Sequence, residues 1–373
     1  MVLKSLEVVN FRNLASGKIN FSPQVNIFYG DNAQGKTNFM EAIYLLSFIK
    51  SFRAETDGEM IHWDSSEASL KGEFDSQTLS LVLRPTGKEI RVNNTSKRAL
   101  EALGELRVAS FSPEDILIVT GAPTLRRRFL DSLISLINRQ YLYNLVNVQK
   151  VIKNRNRVLF FLREGRREDL GPWDDQLVDY ASKIWLERFR LTAELNEIIR
   201  PISKHLLGSG SLQIDYQTKI TITAEDTLTT LGDKVRKELV KARSDEIRRA
   251  TTLVGPQRDD FTILEEETKN NKVIYKDIGV YGSRGEQRVG ILSLKIGELD
   301  LIEKEVGERP ILLLDDVLSE FDKSHRDHLF GRLSKQQTFI TTTELNLFPP
   351  PILSQAQLMT VRDGKAEITT LEE

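Results

Sequence analysis

The stretch that decides the fold is Gly30-Asp31-Asn32-Ala33-Gln34-Gly35-Lys36-Thr37, which fits the pattern G-x-x-x-x-G-K-[ST] in full. An apolar run ends at Tyr29 just before it, and a segment of helical period follows. This context predicts a phosphate-binding loop between a strand and a helix, with ATP and Mg²⁺ as ligands. The loop amides form a nest for phosphate oxygens, Lys36 adds charge, and Thr37 offers a hydroxyl to Mg²⁺. The alternative is a glycine-rich turn that matches by chance.

A second acidic motif lies near the other end of the chain. Four apolar residues, 311–314, precede Asp315 and Asp316, as in a parallel strand buried on both faces. Ligands of open α/β sheets bind at the carboxyl ends of such strands. We expect Asp315 to hold Mg²⁺ with Thr37, and Asp316 to polarise the attacking water, with Lys36 as a further catalytic group. A helix cap or a turn is the alternative for either aspartate.

The order of segments predicts an α/β fold interrupted by an insertion. Segments that alternate between strand and helix occupy 1–122 and 251–373, and a charged segment of helical period occupies 123–250. We expect one ATPase head domain with a mixed sheet, and a mainly helical arm inserted into it. A strand-like stretch at 212–223 could belong to the head, and the apolar stripe before it is expected to stop at Pro201.

Composition excludes several classes of protein. The 373 residues contain no cysteine, so disulfides, zinc–thiolate sites and iron–sulfur clusters are excluded. There are only four histidines, so a histidine-rich metal site is not expected. The longest apolar run, 42–49, is less than half the length of a membrane span. The first residues alternate between apolar and polar, unlike a signal peptide. We expect a cytoplasmic, nucleoid-associated protein with no membrane contact.

The net charge of −2 conceals a basic segment at 121–168, which has eleven basic and three acidic residues, a net charge of +8. Such a segment predicts sequence-independent binding to the phosphates of duplex DNA. The candidate DNA-binding residues are Arg126, Arg127, Arg128, Lys150, Lys153, Arg155 and Arg157. The alternative is a solvated helical face, or pairing with the acidic residues of 164–179 across the arm.

Two further motifs resemble those of a known family. The stretch Ser283-Arg284-Gly285-Glu286-Gln287 resembles the signature of ABC-type ATPases, and residues 319–322, which end at Asp322, resemble their D-loop. The order of all motifs is similar to that of the RecF family, a group of SMC-like ATPases. The motifs that carry this likeness, besides the phosphate loop and the paired aspartates, are 11–13 with Arg12, 111–115, 255–260, 283–287 and 341–343.

The resemblance implies a head that dimerises around two ATP molecules. Each ATP would be held by the phosphate loop and Arg12 of one copy, and capped by residues 283–287 and Asp322 of the other. It also implies a weak, DNA-stimulated ATPase that acts in recombinational repair and replication-fork maintenance. Such a protein binds double-stranded DNA and single/double-strand junctions, and it helps to load recombinase on gapped DNA together with RecR and, indirectly, RecO. An SMC-type structural head and a transporter-type ATPase subunit are the alternatives.

Two positions differ from the family patterns, and the position of a third functional residue is not decided by the sequence. Transporter ATPases carry a histidine after the strand that follows the D-loop, whereas this chain has threonines there, so Thr343, or else Thr342, is expected to sense the γ-phosphate. Gln257 replaces the histidine usual in the RecF family. The residue corresponding to the Q-loop is sought at Glu114 or Asp115, where a plain turn is the alternative.

Overall fold

The computed structural model describes residues 1–269 and 272–369, and the chain divides into two compact units. The first unit comprises Met1–Asp115 with Glu298–Glu373, and the second comprises Ile116–Gly297. The predicted α/β class with an inserted, mainly helical segment is confirmed.

The strands are β1 (Leu3–Val9), β2 (Gly17–Asn20), β3 (Val25–Tyr29), β4 (Ala68–Phe74), β5 (Gln77–Arg84), β6 (Gly87–Val92), β7 (Thr95–Ser96), β8 (Val108–Phe111), β9 (Ser211–Gln217), β10 (Asp260–Lys269), β11 (Lys272–Asp277), β12 (Ile311–Asp315), β13 (Thr338–Thr342), β14 (Gln357–Arg362) and β15 (Lys365–Thr369). The helices are α1 (Lys36–Phe48), α2 (Ala99–Ala102), α3 (Ile116–Thr120), α4 (Pro123–Ile137), α5 (Arg139–Arg163), α6 (Gly171–Leu207), α7 (Leu228–Arg249), α8 (Ile278–Tyr281), α9 (Arg284–Val306), α10 (Lys323–Leu333) and α11 (Pro350–Gln355).

The first unit contains two six-stranded sheets with α1 in contact with both. One sheet has the order β15-β14-β3-β13-β12-β8 and is parallel except for β15; the other is antiparallel, with the order β2-β1-β4-β5-β6-β7. Helix α1 is buried along most of its length because it packs on both sheets, and Phe39 stacks on Phe28 of β3 with ring centroids 5.0 Å apart. The carboxyl ends of β3, β12 and β13 therefore lie at one edge of the parallel sheet.

The second unit contains helices α3 to α8, the first part of α9 and the antiparallel sheet β11-β10-β9. Its limits are wider than the predicted arm of 123–250, since β9 is paired along its whole length with β10, which also contacts α4. The strand near 212–223, for which the sequence leaves a place in the head open, pairs with β10 within the second unit, and it ends at Gln217.

Helix α6 runs through Pro201 to Leu207, so the expected stop at the proline is also wrong. Buried residues on both sides of it, Ile199 and Ile202, keep the helix packed, and this packing outweighs the loss of one backbone hydrogen bond. In the part of the chain that the structure describes, no helix is both long and apolar enough to cross a membrane.

Candidate functional site

The loop at 30–37 has the backbone that a phosphate nest requires. Ala33 and Gly35 have φ of 65° and 107°, and α1 begins at the next residue, Lys36. The first amides of a helix have no acceptor within it, so they are free to bind an anion. Gly30 has φ 155°, and a Cβ there would lie 2.4 Å from the carbonyl oxygen of Val361, so only glycine fits. The loop therefore suits a polyphosphate.

The loop is braced by the turn between β14 and β15. The backbone amide of Gly364 donates to the carbonyl oxygen of Gln34 at 2.9 Å, and the amide of Asp363 donates to its Oε1 at 2.7 Å. The side chain of Gln34 thus holds the loop in place in this structure, although the sequence motif leaves that position free.

Lys36 points back into the loop. Its ammonium donates to the carbonyl oxygens of Gly30 at 2.7 Å and of Asp31 at 2.8 Å. Burial lowers the pKa of Lys36, and the nearby carboxylates of Asp316 and Asp315 oppose that shift. A partly desolvated ammonium that has only neutral acceptors is strongly stabilised when an anion binds next to it. A bound phosphate chain would supply that anion.

The paired aspartates lie at the same edge as the loop. Thr37 and Thr341 both donate from their hydroxyls to Asp315 Oδ1, at 3.0 and 2.7 Å. Burial raises the pKa of Asp315, and these two hydrogen bonds oppose the shift. The threonine and the carboxylate predicted for Mg²⁺ are thus in direct contact, although they lie at opposite ends of the chain.

Asp316 is exposed at the end of β12 with φ 53°, a left-handed conformation that costs energy for a residue with a side chain. Its backbone amide donates to Thr341 Oγ1 at 2.9 Å, which fixes the turn. Burial and the neighbouring Asp315 raise the pKa of the Asp316 carboxyl. The turn directs this carboxylate toward the phosphate loop.

These groups enclose a cavity of about 290 Å³. It is lined by Asn32, Ala33, Gly35, Lys36, Thr37, Asn38, Arg53, Asp316 and Thr341. Three of these, Asn38, Arg53 and Thr341, were missed by sequence reasoning. Arg53 follows α1 in an irregular segment with no motif, whereas Thr341 lies in the threonine run whose later members were preferred.

The oxygen donors fit magnesium. Among residues 1–269 and 272–369, no group of three or more His, Cys, Asp or Glu side chains could hold a metal ion by itself. Mg²⁺ at phosphate sites takes one or two protein oxygens, and substrate phosphates and water complete its shell. Thr37 and Asp315 supply that number of donors.

The other nucleotide-binding residues predicted in the head do not line the cavity. Arg12 makes two hydrogen bonds to the fully buried carboxylate of Glu41, at 2.9 and 2.7 Å, and does not line the cavity. Thr342 is buried, and its hydroxyl closes a turn by donating to the carbonyl oxygen of Glu344. Thr343 is half-buried and is also absent from the cavity lining. The roles proposed for Arg12 and Thr343 in nucleotide binding stay predictions.

Asp322 of the D-loop caps a helix, and Asp115 after β8 stabilises a turn. Asp322 accepts from the backbone amide of His325 at 3.0 Å and caps α10, while its Oδ2 lies 2.8 Å from His325 Nδ1. Asp115 accepts from the amide of Ser112, which makes a turn. Glu114 makes a small contribution to the raised pKa of Asp315, and neither acid lines the cavity, so the position of the Q-loop residue stays a prediction.

The signature belongs to the second unit, where it opens α9. Ser283 and Glu286 form a reciprocal cap: the Ser283 amide donates to Glu286 Oε2 at 2.6 Å, and the Glu286 amide donates to Ser283 Oγ at 3.3 Å. Gln287 Nε2 donates to the carbonyl oxygens of Ile278 and Gly282. Ser283, Arg284 and Gly285 are exposed.

Lys276 of β11 extends this cap into the sheet. Its ammonium lies 2.7 Å from Glu286 Oε1 and 2.6 Å from Glu265 Oε2, and Glu265 is buried. The hydrogen bonds from Lys276 are the largest cause of a lowered pKa for Glu286, and the two carboxylates raise the pKa of Lys276 strongly. Sequence reasoning missed Lys276 because it lies outside every motif.

Two of the seven candidate DNA-binding residues are corrected. Arg155 is fully buried and pairs with Asp174 at 2.8 Å and with Glu246 at 2.6 Å, so it cannot reach DNA. Arg126 is buried and forms a bidentate salt bridge with Asp260. For Arg155 the alternative of pairing with the acidic residues of 164–179 was the right one, whereas the partner of Arg126 lies on β10, outside the predicted arm.

The other five candidates differ in exposure. Arg127 is half-buried and donates to the carbonyl oxygen of Asp259. Arg128, Lys150, Lys153 and Arg157 are exposed to solvent. These four keep their place as candidates for phosphate contacts.

Comparison with known sequences finds a match along nearly the whole chain. Residues 2–350 match the sequence profile of the RecF/RecN/SMC N terminal domain. The "DNA replication and repair protein RecF" of Bacillus subtilis (strain 168) is 38% identical over 374 residues, which are 98% of this chain and 99% of that protein. The protein of the same name from Oceanobacillus iheyensis is also 38% identical, with the same coverage.

Solved structures give the same result for the fold. The structure of "the recombination mediator protein RecF-ATP in RecFOR pathway" superimposes with a TM-score of 0.89 at 32% identity, covering 99% of this chain and 98% of that one. An Smc head bound to the C-terminal winged-helix domain of ScpA superimposes with a TM-score of 0.54 at 14% identity, covering 100% and 98%. The second likeness concerns the fold alone.

Proposed function

This chain belongs to the RecF family of SMC-like ATPases that act in DNA replication and repair, and we propose that it works as an ATP-controlled dimer on gapped DNA. The observation that carries the proposal is the contact of Thr37 with Asp315 beside the phosphate loop, with Asp316 at the same cavity. This constellation fits a triphosphate with its magnesium, and it also provides a carboxylate for water.

The hydrolytic part of the proposal assigns one role to each group. Lys36 and the loop amides bind the phosphate chain, and Thr37 with Asp315 would hold Mg²⁺, which when bound neutralises phosphate charge. Asp316 accepts the proton of the attacking water. Turnover is expected to be slow and stimulated by DNA, because ATP acts here as a switch for the dimer.

The exposure of the signature supports the proposed dimer. Ser283, Arg284 and Gly285 are exposed at the start of a long helix, where helix amides attract an anion. We infer that they cap the ATP held by a second copy, with Asp322 contributing from the D-loop. A two-fold axis then closes both sites at once.

DNA and protein partners complete the proposal. The exposed basic residues of the arm favour phosphate contacts with double-stranded DNA and single/double-strand junctions, without base readout. The family relation favours RecR as the direct partner, RecO as an indirect one, and the loading of recombinase as the outcome.

Lys276→Met is expected to weaken ATP-dependent dimerisation about tenfold, the effect of losing the charge-assisted hydrogen bond to Glu286, whereas the lost pair with Glu265 should lower stability. Without the ammonium, Glu286 loses the group that holds it, so the cap on Ser283 loosens. The affinity of one copy for ATP should not change, because the phosphate loop belongs to the other unit. Sedimentation with ATP and titration with a fluorescent ATP analogue measure the two quantities.

Lys272→Met is the matched control, since Lys272 lies on the same strand and is exposed. It should dimerise as the wild type does, and Lys276→Arg should restore most of the loss. If Lys276→Met lowers the unfolding temperature but leaves dimerisation intact, Lys276 is a structural residue only.

Replacing Arg128, Lys150 and Lys153 together by glutamine is expected to flatten the salt dependence of binding to duplex DNA. Each lost phosphate contact lowers the slope of log K against log salt by about 0.9. The slope is measured by fluorescence anisotropy at several salt concentrations, with ATP present.

The control carries the same change in charge on the first unit, at the exposed residues Lys71, Arg91 and Lys97. Its slope should equal that of the wild type. Equal slopes for all three proteins would move the DNA site away from the arm.

A further inference from the structure

The last turns of α5 and its connection to α6 carry an aromatic and basic cluster that the nucleotide site does not use. We call it the arm tip, and it comprises Arg157, Phe160, Phe161, Arg163 and Arg166. The guanidinium carbon of Arg163 lies 4.9 Å from the centre of the Phe160 ring. Those of Arg166 and Arg157 lie 4.7 and 5.6 Å from the centre of the Phe161 ring.

One phenylalanine of the arm tip, Phe160, is exposed to solvent. Phe160 is 44% exposed at the end of a 25-residue helix, and the ring of Phe161 meets it edge-on at 5.9 Å. One exposed apolar residue needs no explanation. Two adjacent rings among three guanidinium groups form a combined aromatic and cationic surface instead.

The charge of the arm tip is positive after its local pairs are considered. Residues 157–169 contain four arginines and three acidic residues, Glu164, Glu168 and Asp169, so the net charge is +1, and Glu164 lies 3.3 Å from Arg163. Arg166 and the adjacent Arg167 are exposed to solvent. The surface is therefore complementary to a flexible polyanion that also has flat apolar faces.

We propose that the arm tip binds unpaired nucleotides of a single strand next to the duplex. A base stacks on Phe160, and the guanidinium groups contact the flanking phosphates, which is the combination that single-strand binding sites use. This inference rests on the proposed binding of DNA by the arm and adds a site for the unpaired side of a junction. An acidic protein segment would match the charge but would make no use of the rings.

The test is Phe160→Leu, which keeps an apolar side chain and removes the ring. Anisotropy is measured for the full chain with ATP on two probes, a blunt duplex and the same duplex with a single-stranded thymidine tail. We expect about tenfold weaker binding to the tailed probe, the order of effect for one stacked base. Binding to the blunt probe should not change, and Phe160→Tyr should bind both probes as the wild type does.

Tyr143→Leu is the matched control. Tyr143 lies on the same helix, is 49% exposed, and is about 25 Å from Phe160 along the helix axis, at about 1.5 Å per residue. It should bind both probes like the wild type. A 2-aminopurine base placed first in the tail gives a second readout, because its fluorescence falls when it stacks, and this fall should be absent in Phe160→Leu.

Each outcome separates the arm tip from the wider proposal. Unchanged binding of the tailed probe by Phe160→Leu, or an equal loss on both probes, overturns the stacking site while DNA binding by the arm stands. Binding of an acidic peptide that is lost in Phe160→Leu, with both DNA probes unaffected, assigns the surface to a protein instead. Failure of the wild type to bind either probe overturns the DNA-binding function itself.

Discussion

Asp316→Asn is expected to bind ATP and to dimerise, but to hydrolyse ATP about 100-fold more slowly than the wild type, or slower still. A positioned general base contributes roughly 10²–10⁴-fold to a rate. The asparagine fills the same volume at the same strained turn, whose amide hydrogen bond to Thr341 is retained. The amide group cannot accept a proton from water, so only the rate of the hydrolysis step should fall.

Phosphate release measured in single turnover, together with sedimentation in ATP, separates these two effects. Glu344→Gln is the control, because Glu344 is exposed and close enough to help raise the pKa of Asp316, yet it does not line the cavity. It should hydrolyse ATP at the wild-type rate. Normal turnover in Asp316→Asn would remove this residue from catalysis and leave the water without an assigned base.

The nucleotide site could be predicted from sequence because its parts are local. The turn that binds phosphate is encoded within eight consecutive residues, and a buried strand followed by two aspartates identifies the opposite wall. Since the strands are parallel, their carboxyl ends meet at one edge. The contact of Thr37 with Asp315, between residues 278 positions apart, therefore followed from the topology.

The DNA-binding residues could not be predicted as well, because exposure is decided by distant partners. Arg155 and Arg157 are two positions apart, but one is buried against Glu246, 91 residues away, and the other is exposed. Arg126 finds its partner 134 residues away, on β10. Basic residues in a helix of known period can be assigned to faces, but their partners depend on the neighbouring helices.

Lys36→Ala is expected to bind ATP about 100-fold more weakly or worse, and therefore to lose ATP-dependent dimerisation. Its ammonium can donate to charged phosphate oxygens, and each such bond contributes about 1.5–3 kcal/mol. The ATP-free protein should keep most of its stability, since burying the ammonium costs solvation, which lowers the pKa of Lys36 and offsets its two hydrogen bonds to the loop carbonyls. The loss should therefore concern the ligand alone.

Thermal unfolding with and without ATP distinguishes loss of binding from loss of fold. A ligand at 100 times its Kd stabilises a protein by about 2.7 kcal/mol, so the wild type should show a clear rise in Tm that Lys36→Ala lacks. Lys50→Ala, an exposed lysine just after α1, should show the full rise. A wild-type rise in Lys36→Ala would mean that the amides bind the phosphates without the ammonium, and Lys36 would then have no role in nucleotide binding.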